Sequence, residues 1–259
     1  MDRLNTRQWV NIAATIVVII VNALANALPI AGRTTGQVSD SFPVVFVPAG
    51  YVFSIWGLIY LGLIAFTVYQ AMPAQRDNPV LEKIGYLYAI NCAANSLWIL
   101  FWHNLMLPVT VLLMLVVLGT LIAIYLRVDI GRATPASSRE KWSVHVPFSV
   151  YLGWITVATV ANISMALYDA GWNGFGISGA TWTVLLLIVA AGLGLAMTYM
   201  RQDLGYNLVL VWAFIGIAVS QAALRSVVFA AALLVIVLVL AVADSRGRQP
   251  LLFRSSPTA

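Results

Sequence analysis

Of 259 residues, 61% are hydrophobic and only 9% are charged, and the mean hydropathy is +0.92, so water is not the main solvent of this chain. Its net charge of +5 comes from cations dispersed among short loops, which argues against a nucleic-acid partner and for contact with anionic lipid headgroups. A single cysteine, Cys92, rules out an intramolecular disulfide and reads as a small packing residue.

In hydrocarbon every backbone N–H and C=O must pair within the protein, so a spanning chain is either helical or a closed barrel. The apolar runs here are continuous rather than alternating, which selects helices. The expected fold is an all-α integral membrane protein with about eight transmembrane helices, each of roughly 17–25 residues. In chain order they cover 9–28, 51–72, 84–102, 108–126, 144–167, 181–199, 207–222 and 227–242. The first has a rival reading as a cleaved signal peptide, because Arg3 and Arg7 precede an apolar stretch ending in small residues at 23–27. Its length and the charge pattern favour a retained helix. Read as one helix, 207–242 would bury Arg225 near mid-membrane, so a tight turn is expected there.

Cations near span ends stay mostly on the cytoplasmic side. With eight spans, Arg3, Arg7, Arg76, Lys83, Arg127, Arg132, Arg139, Lys141, Arg201, Arg246, Arg248 and Arg254 share one side, against Arg33 and Arg225 on the other. Both termini are therefore expected in the cytoplasm, in a multi-pass protein of a bacterial cytoplasmic membrane. No acidic, basic or histidine residue stands at mid-span. Asp129, Asp169, Asp203, Asp244, Glu82 and Glu140 fall at helix ends or in loops, and His103 and His145 read as interfacial residues on opposite sides. Neither a catalytic residue nor a metal site is expected.

The spans do carry amides and aromatics at helical spacing. Tyr88, Asn91, Asn95, Trp98 and Trp102 share a face of the third, Tyr151, Trp154, Ala158 and Asn162 share a face of the fifth, and Asn22 and Asn26 are one turn apart in the first. A lipid-facing Asn is costly, so these stripes should point into the bundle. They serve either as interhelical glue or as the lining of a pocket for a flat, largely apolar ligand.

The second span opens with Pro48-Ala49-Gly50-Tyr51-Val52-Phe53-Ser54-Ile55-Trp56-Gly57-Leu58-Ile59-Tyr60, the third holds Asn95-Ser96-Leu97-Trp98, and the fifth holds Tyr151-Leu152-Gly153-Trp154 followed by Ala158 and Asn162. Together these resemble the TspO/MBR family, the tryptophan-rich sensory or translocator proteins, over roughly residues 8–168. The departures bear on activity more than on fold. Tyr51 replaces the first Trp of the second-helix motif, and the loop 31–47 has Phe42 where the family usually has a Trp. Trp102 and His103 stand in place of paired Phe residues, Val150 in place of a Pro. One residue fewer between Phe53 and Trp56 would rotate Trp56 by about 100° relative to Phe53. Three spans follow the family's five.

The resemblance implies a TspO-like five-helix bundle at 1–169, to which the apolar runs add three further helices and a short basic tail at 170–259, all one membrane domain. It also implies porphyrin and sterol binding, the latter through a Leu, Tyr, basic pattern. Leu121, Tyr125 and Arg127 match that pattern, as do Leu195, Tyr199 and Arg201, and both sets read as ordinary interfacial anchors. The expected function is a receptor or sensor binding a porphyrin, another tetrapyrrole or a similar planar molecule at Tyr51, Phe53, Trp56, Tyr60, Asn91, Asn95, Trp98, Tyr151, Trp154, Ala158 and Asn162. Its partners are the bilayer and this hydrophobic ligand, with a homodimer left open. The alternatives are a transporter of a small uncharged solute and, third, a membrane enzyme acting on a lipid or pigment.

Overall fold

The computed structural model describes residues 4–28 and 30–247; Arg3, Arg248, Arg254 and the basic tail expected after 247 lie outside them. Among the described residues there are helices and turns and no strand. The long helices are α1 (Thr6–Ala27), α3 (Ile55–Ala71), α5 (Leu87–His103), α6 (Leu107–Val128), α8 (Val146–Asp169), α9 (Gly179–Arg201), α10 (Leu204–Ser220) and α11 (Arg225–Gly247). Short ones are α2 (Thr35–Asp40), α4 (Pro79–Ile84) and α7 (Ser138–Glu140), and a π turn, Lys141–His145, leads into α8.

Each expected span falls on one long helix. Six helical segments are long and apolar enough to cross a membrane, which makes this an integral multi-pass membrane protein. The other two, α5 and α10, have 17 residues each, about 26 Å at 1.5 Å per residue, slightly less than the hydrocarbon thickness of about 30 Å. The chain does turn before Arg225: α10 ends at Ser220 and α11 starts at Arg225.

The first five long helices form a closed ring, because α1 packs on α3 and α5, α5 on α6, α6 on α8, and α8 back on α3. A stripe on α1 shows why it joins. Gln8, Asn11, Thr15, Val18, Asn22 and Ala25 recur every three to four residues and are all buried, so α1 is polar toward its neighbours and apolar toward lipid. Gln8 Nε2 donates to Gln70 O at 2.7 Å, and Thr15 Oγ1 lies 2.6 Å from both Thr67 Oγ1 and Tyr88 Oη. Helices α9, α10 and α11 pack on one another and reach the ring chiefly through α10 against α8. Half of the 24 residues of α8 are buried, and α8 packs on α3, α6 and α10, so it is the wall shared by both groups. Gly153 allows that approach, since a Cβ there would stand 3.1 Å from Tyr206 O and Val209 Cβ.

Candidate functional site

The polypeptide reaches α3 through a 3₁₀ segment, Gly50–Ser54. Side chains three apart eclipse in 3₁₀ winding, whereas an α-helix offsets them. Phe53, in this segment, and Trp56, in the first turn of α3, both meet Trp154 of α8, Phe53 at 5.7 Å and 84°, Trp56 at 6.3 Å and 85°. Trp56 also stacks on Tyr60 at 5.6 Å and 20° and meets Tyr151 edge-on at 5.9 Å. Phe53, Trp56 and Tyr60 are only partly buried, while Tyr151 and Trp154 are buried. The result is an aromatic cluster between α3 and α8 with ring faces not fully covered. The indole Nε1 of Trp154, 2% exposed, has no hydrogen-bond partner among the described residues.

The amides behave differently. Asn22 Nδ2 donates to Asn95 Oδ1 at 2.9 Å, and Asn95 Nδ2 donates to Tyr151 Oη at 3.1 Å, which ties α1, α5 and α8 together. Trp98 Nε1 donates to Asn162 Oδ1 at 3.0 Å, and Asn162 Nδ2 to Thr110 Oγ1 at 2.8 Å, which joins α5, α8 and α6. Asn91 Nδ2 reaches Thr120 Oγ1 and Val117 O of α6. These groups hold the ring closed with one another as partners, although Asn91 Oδ1, like Trp154 Nε1, is buried without a partner among the described residues.

The structure thus gathers Phe53, Trp56, Tyr60, Tyr151 and Trp154 around one spot, with Asn95 at its edge and the half-buried Ala158 one turn beyond Trp154. Asn91, Trp98 and Asn162 sit in the seams against α6. Tyr51 stands apart: it is 46% exposed and packs edge-on against Trp212 of α10 at 5.3 Å. Asn26, expected to point inward with Asn22, is exposed; its side chain receives Thr35 N at 3.4 Å.

A family model described as TSPO-like protein matches residues 8–243. The chain belongs to the TSPO-like protein family. The match runs through α9 and α10 into α11, so the helices beyond the five-helix ring lie within what the family model covers. No curated protein matches this TSPO-like protein, and no solved structure does.

Several helix-end residues of this TSPO-like protein carry more than their positions suggested. Asp203 caps α10 and is buried. Its carboxylate accepts from Tyr125 Oη at 2.6 Å, from Tyr206 N at 3.1 Å and from Ser149 Oγ. Tyr125 is therefore no interfacial anchor, as its sterol-like pattern had suggested; it is buried, with the Arg201 guanidinium 5.2 Å over its ring and that cation held 2.9 Å from Asp129. His103, read as interfacial, is buried as well, with Nε2 3.1 Å from Thr35 Oγ1 and Nδ1 3.2 Å from Ile30 O. Together with Trp102, whose Nε1 donates to Thr35 O at 3.2 Å, it pins the loop after α1 over one end of the ring. His145, also buried, lies 3.8 Å from Glu140, whose carboxylate receives Ala136 N and the Tyr69 hydroxyl. A polar residue just outside an apolar run was the signal available for all of these, but it does not say which polar ends are covered.

Proposed function

We propose that this TSPO-like protein binds a planar, largely apolar ligand of the porphyrin class between α3 and α8, among Phe53, Trp56, Tyr60, Tyr151 and Trp154. The observation that carries this reading is the Trp154 N–H, without a partner among the described residues, within partly covered aromatic rings. A buried donor left without an acceptor costs about 1–3 kcal/mol, and an acceptor on a ligand would offset that cost. Aromatic faces suit a flat π-system. Stacking and one oriented hydrogen bond make this a receptor-like site, with no bond made or broken. Asn95, Trp98 and Asn162 support it by keeping α5, α6 and α8 in register rather than by touching the ligand.

Titration of the purified protein with a protoporphyrin, followed by tryptophan quenching and by the porphyrin absorption band, tests the reading. Saturable quenching is expected, and Trp154→Phe, which removes the donor, should weaken it roughly 5- to 10-fold, as a contribution of about 1 kcal/mol implies. Absence of saturable quenching in the unmodified protein refutes the proposal.

A further inference from the structure

The segment that leads into α3 is tied to α10 at one end. At the joined end Trp212 Nε1 donates to Val52 O at 3.1 Å, and Ala49 N donates to Gly216 O at 3.0 Å. Away from it a groove of about 980 Å³ opens between the two helices, at the upper end of the size range of ligand sites. Its walls are Ile55 and Leu58 of α3 and Leu208 and Trp212 of α10, and its floor is Val146 and Val150 of α8. Leu58 and Leu208 are 58% and 56% exposed, so the groove faces the lipid and not the ring interior. Between Leu204 and Trp212, both on its lining, α10 rises about 12 Å, close to the depth of one leaflet, about half of a 30 Å hydrocarbon layer.

The open end of the groove is cationic. Lys141 and Arg246 both line it and are both exposed, and neither forms an ion pair with a described residue. Their neighbours are committed elsewhere: Arg201 pairs with Asp129, and Arg132 Nε donates to Met200 O. The nearby carboxylate of Asp203 is buried with both oxygens occupied. Trp142, next to Lys141 and 61% exposed, is the residue type that settles at a headgroup layer. A lipid-facing apolar trough one leaflet deep, ending in two cations with no ion pair among the described residues, Lys141 resting 6.0 Å over the Trp142 ring, has the chemistry of one membrane component.

We infer that this groove seats an acyl chain of an anionic phospholipid from the leaflet on the Lys141 side, with its phosphate held by Lys141 and Arg246. The lipid fills the wedge between the ring and the three-helix group, so it is a structural ligand distinct from any molecule bound among the aromatic rings. A cation near a membrane surface contributes about 1 kcal/mol toward an anionic lipid, or about 5-fold in affinity, so two give about 25-fold.

Native mass spectrometry of the full chain, purified in detergent with equimolar dioleoyl phosphatidylglycerol and phosphatidylcholine, tests this. The unmodified protein should retain phosphatidylglycerol about 25-fold in preference, Lys141→Gln about 5-fold, and Lys141→Gln/Arg246→Gln with almost no preference. Leu208→Trp keeps both cations but fills the trough, and should retain neither lipid. Equal retention of the two lipids by the unmodified protein, an unchanged preference in the double variant, or undiminished retention by Leu208→Trp overturns the inference. So does a dimer appearing in place of the lipid-bound monomer, which would put a second copy in the groove. Should the variants fail to fold, chain-brominated phosphatidylglycerol must quench the unmodified protein's tryptophans more than brominated phosphatidylcholine at equal mole fraction; equal quenching is refuting.

Discussion

Trp98 and Asn162, 64 positions apart in the chain, are joined by a 3.0 Å hydrogen bond across α5 and α8, and the same Asn162 passes a second bond to Thr110 on α6. One amide thus serves three helices, and each of its bonds is made within the protein.

Asn162→Leu should therefore act on stability. It leaves the Trp98 indole N–H without its acceptor, and interhelical hydrogen bonds in membrane proteins contribute about 0.6 kcal/mol on average and up to about 1.7. A loss of about 1–2 kcal/mol is expected in thermal or denaturant unfolding in detergent. Trp98→Leu should lose more, because a buried indole stacked on Trp102 at 5.2 Å goes with it.

Asp203→Ala removes the acceptor shared by Tyr125, Ser149 and the α10 N-terminus. Hydrogen bonds to a charged group contribute about 1.5–3 kcal/mol each, and their donors would be left buried. The expected destabilisation is at least about 3 kcal/mol, with the joint between α6, α8 and α10 opening first. Hydrogen exchange of the α10 N-terminal amides, faster than in α1, is the measurement; uniform loosening of the whole bundle would contradict it.

Gly216 lies where α10 meets the chain before α3, and a Cβ at this position would collide with Val52 and press on Pro48. Gly216→Val is expected to cost about 1–3 kcal/mol through overpacking. It should shift the fluorescence of Trp212, whose bond to Val52 O is close by. Gly192→Ala, in α9 with open space beside it, is the matched control and should be neutral within about 0.5 kcal/mol.

Both chain termini should lie in the cytoplasm if the cation bias orients the bundle. A reporter enzyme active only outside the cytoplasm should be silent when fused after Ala259 and active when inserted in the turn 170–173 between α8 and α9. Activity at the C-terminus would reverse the orientation.

Hydropathy and charge are properties of each residue, and a bilayer reads them along the chain, so the amino-acid sequence alone determined the membrane class, the positions of all eight long helices and the turn before Arg225. Helical periodicity likewise showed that Asn95, Trp98, Trp154 and Asn162 face inward, because an amide in lipid is costly whatever its neighbours. What such a residue faces is a relation between distant segments. Asp203 finds Tyr125 78 positions away and Asn95 finds Asn22 73 positions away, and only the packing of the helices decided that these groups bond to one another while Trp154 Nε1 and Asn91 Oδ1 have no partner among the described residues. The 3₁₀ winding of Gly50–Ser54 was equally invisible in the order of residues. It arises where Val52 and Ala49 are tied to α10, just ahead of the turn that brings Phe53 and Trp56 to Trp154.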